Sequence, residues 1–179
     1  MTRAPAPFPL ERLADIPERP EDFRLLERIP LTREPQSWPL EFSPLVGDEQ
    51  PMVLLDTETT GLSADDESII ELGMVKVLYS PSAKQIVSIV DVISLYEDPG
   101  KPIPELITEL TGITDEMVQG QHIEDSLVAS WLSDDPLVAA HNAQFDRPFF
   151  EKRFAALGHL SWACSASGID WKALGFESR

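Results

Sequence analysis

Cysteine is nearly absent: Cys164 stands alone in 179 residues, so neither a disulfide framework nor a zinc site built from thiolates is available. Positive charge is scarce too, with 14 Lys and Arg against 31 Asp and Glu and a formal charge of −17. A chain of that sign does not hold long nucleic acid by neutralising phosphates. Any such contact has to be local, through metal ions, backbone amides and stacking, and a small substrate end fits better than a wrapped duplex. No apolar run approaches the length of a membrane span. Met-Thr-Arg-Ala-Pro-Ala-Pro at the start lacks the apolar core of a signal peptide. A soluble cytoplasmic protein with no membrane contact is the expectation. Gly-x-Ser-x-Gly, a phosphate-binding Gly-Lys-Ser loop and His-Glu-x-x-His are missing, which leaves the proteinase and dehydrogenase readings without support.

Glycine does not occur before Gly47, whereas ten of the 16 prolines lie within residues 1–51. Proline removes a backbone donor and restricts its predecessor, so regular structure there is expected to be short. Residues 1–50 read as a proline-rich, partly irregular leader, and 51–179 as the domain. Within the leader, Pro20 to Ile29 has the pattern of a two- to three-turn helix, with Phe23, Leu26 and Ile29 on one face. Such a segment suits the domain surface or a protein partner, with Trp38 as an anchor, or a disordered arm.

What is present in strength is Pro51-Met-Val-Leu-Leu-Asp-Thr-Glu-Thr-Thr-Gly-Leu62. Four apolar residues without alternation predict a central strand buried on both faces. Side chains alternate along a strand, so Asp56 and Glu58 point the same way. Two co-facial carboxylates repel unless a cation or proton lies between them, and hard divalent ions favour such oxygens. Gly61 allows a tight turn and a close approach to the backbone.

Ser68–Tyr79 and Gln85–Tyr96 are β-rich around a turn and predict an antiparallel hairpin. Short helices are expected over Pro104–Leu110, ending before Gly112, and from Thr114 as N-cap with acids in the first turn. Glu124–Leu132 is amphipathic, with Leu127, Val128, Trp131 and Leu132 apolar. Leu137–Ala140 reads as a second buried strand running into His141-Asn-Ala-Gln-Phe-Asp146. Pro148 fits the first turn of a helix, placing its start between 143 and 147, with Phe149, Phe150, Phe154 and Leu157 inward and Gly158 at its end. Leu160–Ser165 reads as a last strand and Ile169–Leu174 as a helical stub.

Asp56-Thr-Glu-Thr-Thr-Gly-Leu and His141-Asn-Ala-Gln-Phe-Asp146 together resemble the first and second motifs of the DEDD 3′–5′ exonuclease superfamily, in particular the epsilon proofreading type of bacterial DNA polymerase III. The stretch Ile103–Val118 shares the likeness, which covers about residues 51–175. The resemblance implies an α/β, ribonuclease H-like mixed sheet, an antiparallel hairpin plus parallel strands flanked by helices. It implies two divalent cations, Mg or Mn, held by Asp56, Glu58 and Asp146, with Asp56 reaching both ions. It also implies a substrate that is the 3′ end of single-stranded DNA or RNA, or a nucleotide product. Thr59, Thr60, Gly61 and Leu62 match the segment that touches the terminal nucleotide. Phe145 stacks on a base or sugar or belongs to the core, and Asn142 contacts substrate or caps the helix.

The superfamily's third motif, a histidine followed five positions later by a fourth carboxylate, has no match. After Asp146 the histidine is His159, and five positions on stands Cys164; Asp170 sits in Gly-Ile-Asp-Trp, and no tyrosine follows Tyr96. His122 reads as solvated. The expectation is therefore a C-terminally truncated or degenerate member with low turnover. An RNA exonuclease and a non-catalytic nucleic-acid or protein-binding remnant remain as alternatives.

Overall fold

The computed structural model describes residues 10–20 and 38–176, and the chain forms two compact units, Met1–Gln36 and Ser37–Arg179. In the first unit Leu10–Asp15 forms a 3-10 helix, as short as the prolines allow. Apart from Pro20, the helix expected up to Ile29 lies outside the described residues.

The second unit is built on a six-stranded sheet in the order β1-β4-β3-β2-β5-β6. Its strands are β1 (Leu40–Glu41), β2 (Gln50–Thr59), β3 (Ile69–Ser80), β4 (Gln85–Tyr96), β5 (Leu137–Ala140) and β6 (Trp162–Cys164). From β1 to β2 the pairs are antiparallel, and β2, β5 and β6 run parallel. The β3–β4 hairpin forms where expected. The sheet begins earlier than residue 51, however, because Leu40 and Glu41 pair with Ile89 and Ser88 at its edge.

Among the described residues the unit also holds five helices: α1 (Glu105–Thr111), α2 (Asp115–Val118), α3 (Asp125–Trp131), α4 (Ala143–Arg153) and α5 (Ser165–Gly168). Gly112 ends α1 in the left-handed region, at φ 78°, a conformation that suits glycine. Helix α4 lays Phe149, Phe150 and Phe154 against Val53, Leu55, Leu72, Met74 and Val138 of the sheet. Full burial of Phe150, whose ring meets those of Phe154 and Trp162 at 5.0 and 5.6 Å, contributes about 2–3 kcal/mol. A second cluster, Ile70, Ile103, Ile113 and Val118, joins α2 and the turn around α1 to the start of β3. A bulge makes this possible. Between Glu58 and Thr59 the register slips past Ile70, so Ile69 enters the main core and Ile70 the second one.

Several expectations are corrected. Strand β2 is buried on one face only: Leu54 remains 37% exposed, because nothing among the described residues covers the face it shares with Asp56 and Glu58. Leu127 points outward from α3. Helix α4 starts at Ala143, with Pro148 in its second turn rather than its first, and ends at Arg153, leaving Ala155–Leu157 as a 3-10 turn before Gly158. The stub over Ile169–Leu174 is a bend followed by turns; the short helix precedes it as α5.

Candidate active site

Alternation along β2 sends Val53, Leu55 and Thr57 toward α4 and leaves Leu54, Asp56 and Glu58 on the open face. Across the ladder Asp56 faces Gly73, and Glu58 faces Glu71. Residues directly opposite share a face, so Glu71 adds a further carboxylate, while Gly73 leaves the space beside Asp56 unfilled. Ser94 of β4, opposite Gly73, donates a hydrogen bond to Glu71.

Asp146 arrives from far along the chain. Strand β5 accompanies β2 only as far as the Leu54–Ala139 pair. The chain then turns through Asn142, in the left-handed region at φ 72°, and enters α4. The first turn of α4 places Asp146 beyond the end of the β2–β5 ladder. There its Oδ1 accepts hydrogen bonds from the Thr57 backbone N–H at 3.0 Å and from Thr57 Oγ1 at 2.8 Å. Asp146 is 2% exposed. The helix N-terminus favours an acid at this point.

Burial raises the Asp56 carboxyl above its ordinary value, and the charge of Glu71 adds to the effect. Glu58 is raised by burial and then by Asp56, Glu71 and Asp146. Asp146 is raised by burial, partly offset by the two Thr57 hydrogen bonds, with Asp56 raising it again. Among the described residues no ion pair reaches these acids: Lys76 pairs with Asp134, Lys101 with Glu67, Arg147 with Glu151, and Arg153 with Glu97 and Asp125. An all-oxygen donor set without a positive partner suits hard divalent cations. Among the described residues no three His, Cys, Asp or Glu side chains already close around one ion position. Such an open set still fits magnesium, which keeps several waters and takes other oxygens from substrate phosphates.

The segment after Glu58 forms a tied loop. Thr59 and Thr60 are buried, and their hydroxyls donate to Gly61 O at 2.6 Å and to Glu67. That leaves the Gly61 backbone and the side chain of Leu62, 87% exposed, to meet a ligand. Phe145 turns inward, its ring 5.2 Å from that of Phe149. Asn142 occupies the N-cap position without a side-chain capping bond; its carbonyl accepts from Phe145 N at 2.8 Å. The histidines bond away from the acids: His122 to Glu97 at 2.9 Å, rather than to solvent alone, His141 to Ser165 at 3.0 Å, and His159 to Asp135 at 3.1 Å. Asp170 accepts from Ala173 N within its own turn.

A mixed sheet with acids from neighbouring strands and a helix start near one another is the architecture of the ribonuclease H-like class. The chain belongs to the RNase T exonuclease family, within the DEDD superfamily: the family model, described as exonuclease, matches residues 53–168, which contain Asp56, Glu58, Glu71 and Asp146. It is 38% identical over 117 residues to the PolC-type DNA polymerase III of Halalkalibacterium halodurans, covering 64% of this chain and 8% of the polymerase. Against the PolC-type enzyme of Bacillus subtilis the identity is 40% over 113 residues, or 62% of this chain and 7% of that protein. The chain thus spans less than a tenth of the length of these relatives. Its fold matches the E. coli ExoI–ssDNA complex, in metal-free and zinc-bound forms, at a TM-score of 0.50 and 12% identity over 65% of this chain and 28% of that one.

Proposed function

We propose that this chain is a metal-dependent 3′–5′ exonuclease domain of the DNA polymerase III proofreading type, hydrolysing the terminal phosphodiester of single-stranded DNA. Asp56, Glu58 and Asp146 hold two divalent cations, Mg or Mn. The observation that carries this reading is the Thr57–Asp146 contact, which delivers a buried acid to the strand bearing Asp56 and Glu58. When bound, the ions neutralise the non-bridging phosphate oxygens, activate a water and stabilise the leaving oxygen. The chain's own residues orient the 3′ end: the Gly61 backbone and Leu62 meet the last nucleotide, and the gap over Gly73 admits the phosphate beside Asp56. The polymerase relatives and the ssDNA complex of the structural neighbour favour DNA over RNA.

Proton removal from the attacking water is the weak point. All three histidines bond to groups outside the acid cluster, so turnover is slow. The same observation favours a second reading, a remnant that binds without cutting. Purified full chain is to be incubated with 5′-labelled single-stranded DNA and matched RNA, with Mg, Mn or EDTA. Slow metal-dependent shortening from the 3′ end, faster on DNA and lost in Asp56→Ala, is expected. Internal cuts, or equal activity in Asp56→Ala, would sink the assignment. Metal binding without shortening selects the remnant.

A further inference from the structure

We propose that Lys152 is a positioning residue for the substrate, the clamp that fixes the loop over residues 61–67; the inference rests on the exonuclease reading. Lys152 lies on α4 less than two turns beyond Asp146. Its ammonium has three protons to donate, and three backbone carbonyls of one loop take them: Ala64, Asp65 at 3.0 Å and Glu67 at 3.2 Å. A lysine on an exposed helix face ordinarily meets water or one carboxylate. Here the cation fills the centre of a ring of carbonyls, as a bound metal ion would.

Against α4 the loop is otherwise set by the packing of Ala64 on the core cluster that includes Phe149 and Phe150. Its base is closed by Thr60 N to Ser68 O at 2.9 Å and Ser68 N to Thr60 Oγ1 at 3.1 Å. Internally, Asp66 N and Glu67 N donate to Ser63 O. Glu67 joins Thr60 to Lys101, whose Nζ lies 2.7 Å from its carboxylate. These bonds hold the loop together, whereas Lys152 ties it to the helix that also carries Asp146. One helix therefore sets both an acid of the ion cluster and the height of Gly61 and Leu62 beside it. Removing the clamp frees the loop and leaves the carboxylates in place, so the deficit falls on holding the 3′ end rather than on metal binding or chemistry.

The test compares wild type with Lys152→Met, which keeps the apolar stem, and Lys152→Arg, which keeps the charge in a fork ill-suited to three converging carbonyls. Three quantities are read on the full chain: amide hydrogen exchange at 61–67, Kd for a fluorescent single-stranded DNA in calcium, and Mn affinity by calorimetry. Lys152→Met is expected to exchange at 61–67 and to release DNA about tenfold more readily, with Mn affinity within about twofold of wild type and Lys152→Arg in between. Unchanged exchange, or faster exchange with unchanged DNA affinity, overturns the proposal, as does a parallel loss of Mn affinity. Wild type that neither binds nor shortens a 3′ end rejects the exonuclease reading and this inference together, before any variant is compared.

Discussion

Thr57→Val isolates what holds Asp146 against β2. The substitution keeps the shape and the backbone N–H at 3.0 Å, and deletes the hydroxyl that donates at 2.8 Å. Both residues are buried, so water does not replace the lost donor. A hydrogen bond to a charged acceptor contributes about 1.5–3 kcal/mol. The new methyl returns about 1 kcal/mol of apolar burial, leaving a net loss of about 1–2 kcal/mol. For a domain of this size, at about 2–4 °C per kcal/mol, that lowers Tm by about 2–8 °C.

The variant also carries a signature that simple destabilisation lacks. The Thr57 bonds favour ionised Asp146, so deleting one raises that carboxyl further and loosens its orientation. Mn affinity, measured by calorimetry at neutral pH, is expected to fall several-fold, roughly in step with the lost bond. Thr57→Ser, which keeps the oxygen, restores both readouts. Wild-type Tm and Mn affinity in Thr57→Val would refute the view that this hydroxyl positions the third acid.

Asp56 holds its proton more tightly folded than unfolded, so it withdraws stability as pH rises from about 4 through its raised value. In EDTA, Asp56→Asn should therefore melt above wild type at pH 8 and level with it at pH 4; a lower Tm at pH 8 contradicts the repulsion. In Gly61→Ala the new Cβ would stand 2.9 Å from Glu67 Cγ, displacing a side chain that Thr60 and Lys101 hold, so oligonucleotide affinity drops several-fold while calorimetric Mn affinity stays. Arg153→Leu leaves the half-buried Glu97 with His122 as its remaining partner and frees Asp125 and Ile123 O; urea unfolding should show a loss of about 2–3 kcal/mol, and a wild-type midpoint would show these bonds to be idle.

Asp56 and Glu58 were legible as co-facial acids from strand alternation, whereas Asp146 entered through the likeness of His141–Asp146 to the superfamily's second motif, and the fold brings it against Thr57 between them. Glu71 was not, although it stood in plain view as the one charge within Ile-Ile-Glu-Leu-Gly-Met. Pairing it with Glu58 requires the full register of β2 on β3, and that ladder slips beside the site, at Glu58/Thr59. Thr57 looked passive because it faces the core, and Lys152 because a lysine late in an amphipathic helix reads as solvated. The run Met52–Leu55 suggested burial on both faces, but hydropathy shows what a residue tolerates, and Leu54 tolerates an open face. The histidine-and-acid third motif found no substitute in His159, which the fold turns toward Asp135.

The acids gather where the β2–β5 ladder gives out and the β2–β3 ladder bulges, and that coincidence has a cause. Parallel pairing of β2 with β5 stops at Leu54, whereas β2 stays paired with β3 through Glu58, so backbone groups on the β5 side beyond Leu54 lose their strand partner. An orphaned buried N–H costs about 1–3 kcal/mol, as does a buried carboxylate without donors. Thr57 N–H and Asp146 each supply what the other lacks. Asp146 thus serves the fold, and under the proposed reading the ions as well, whereas Asp56 on the open face adds repulsion to the cluster. Within one cluster, then, the buried acid is anchored by folding energy and the exposed acid by its strand alone, an arrangement that, under the proposed reading, keeps the ligand set together before any ion arrives.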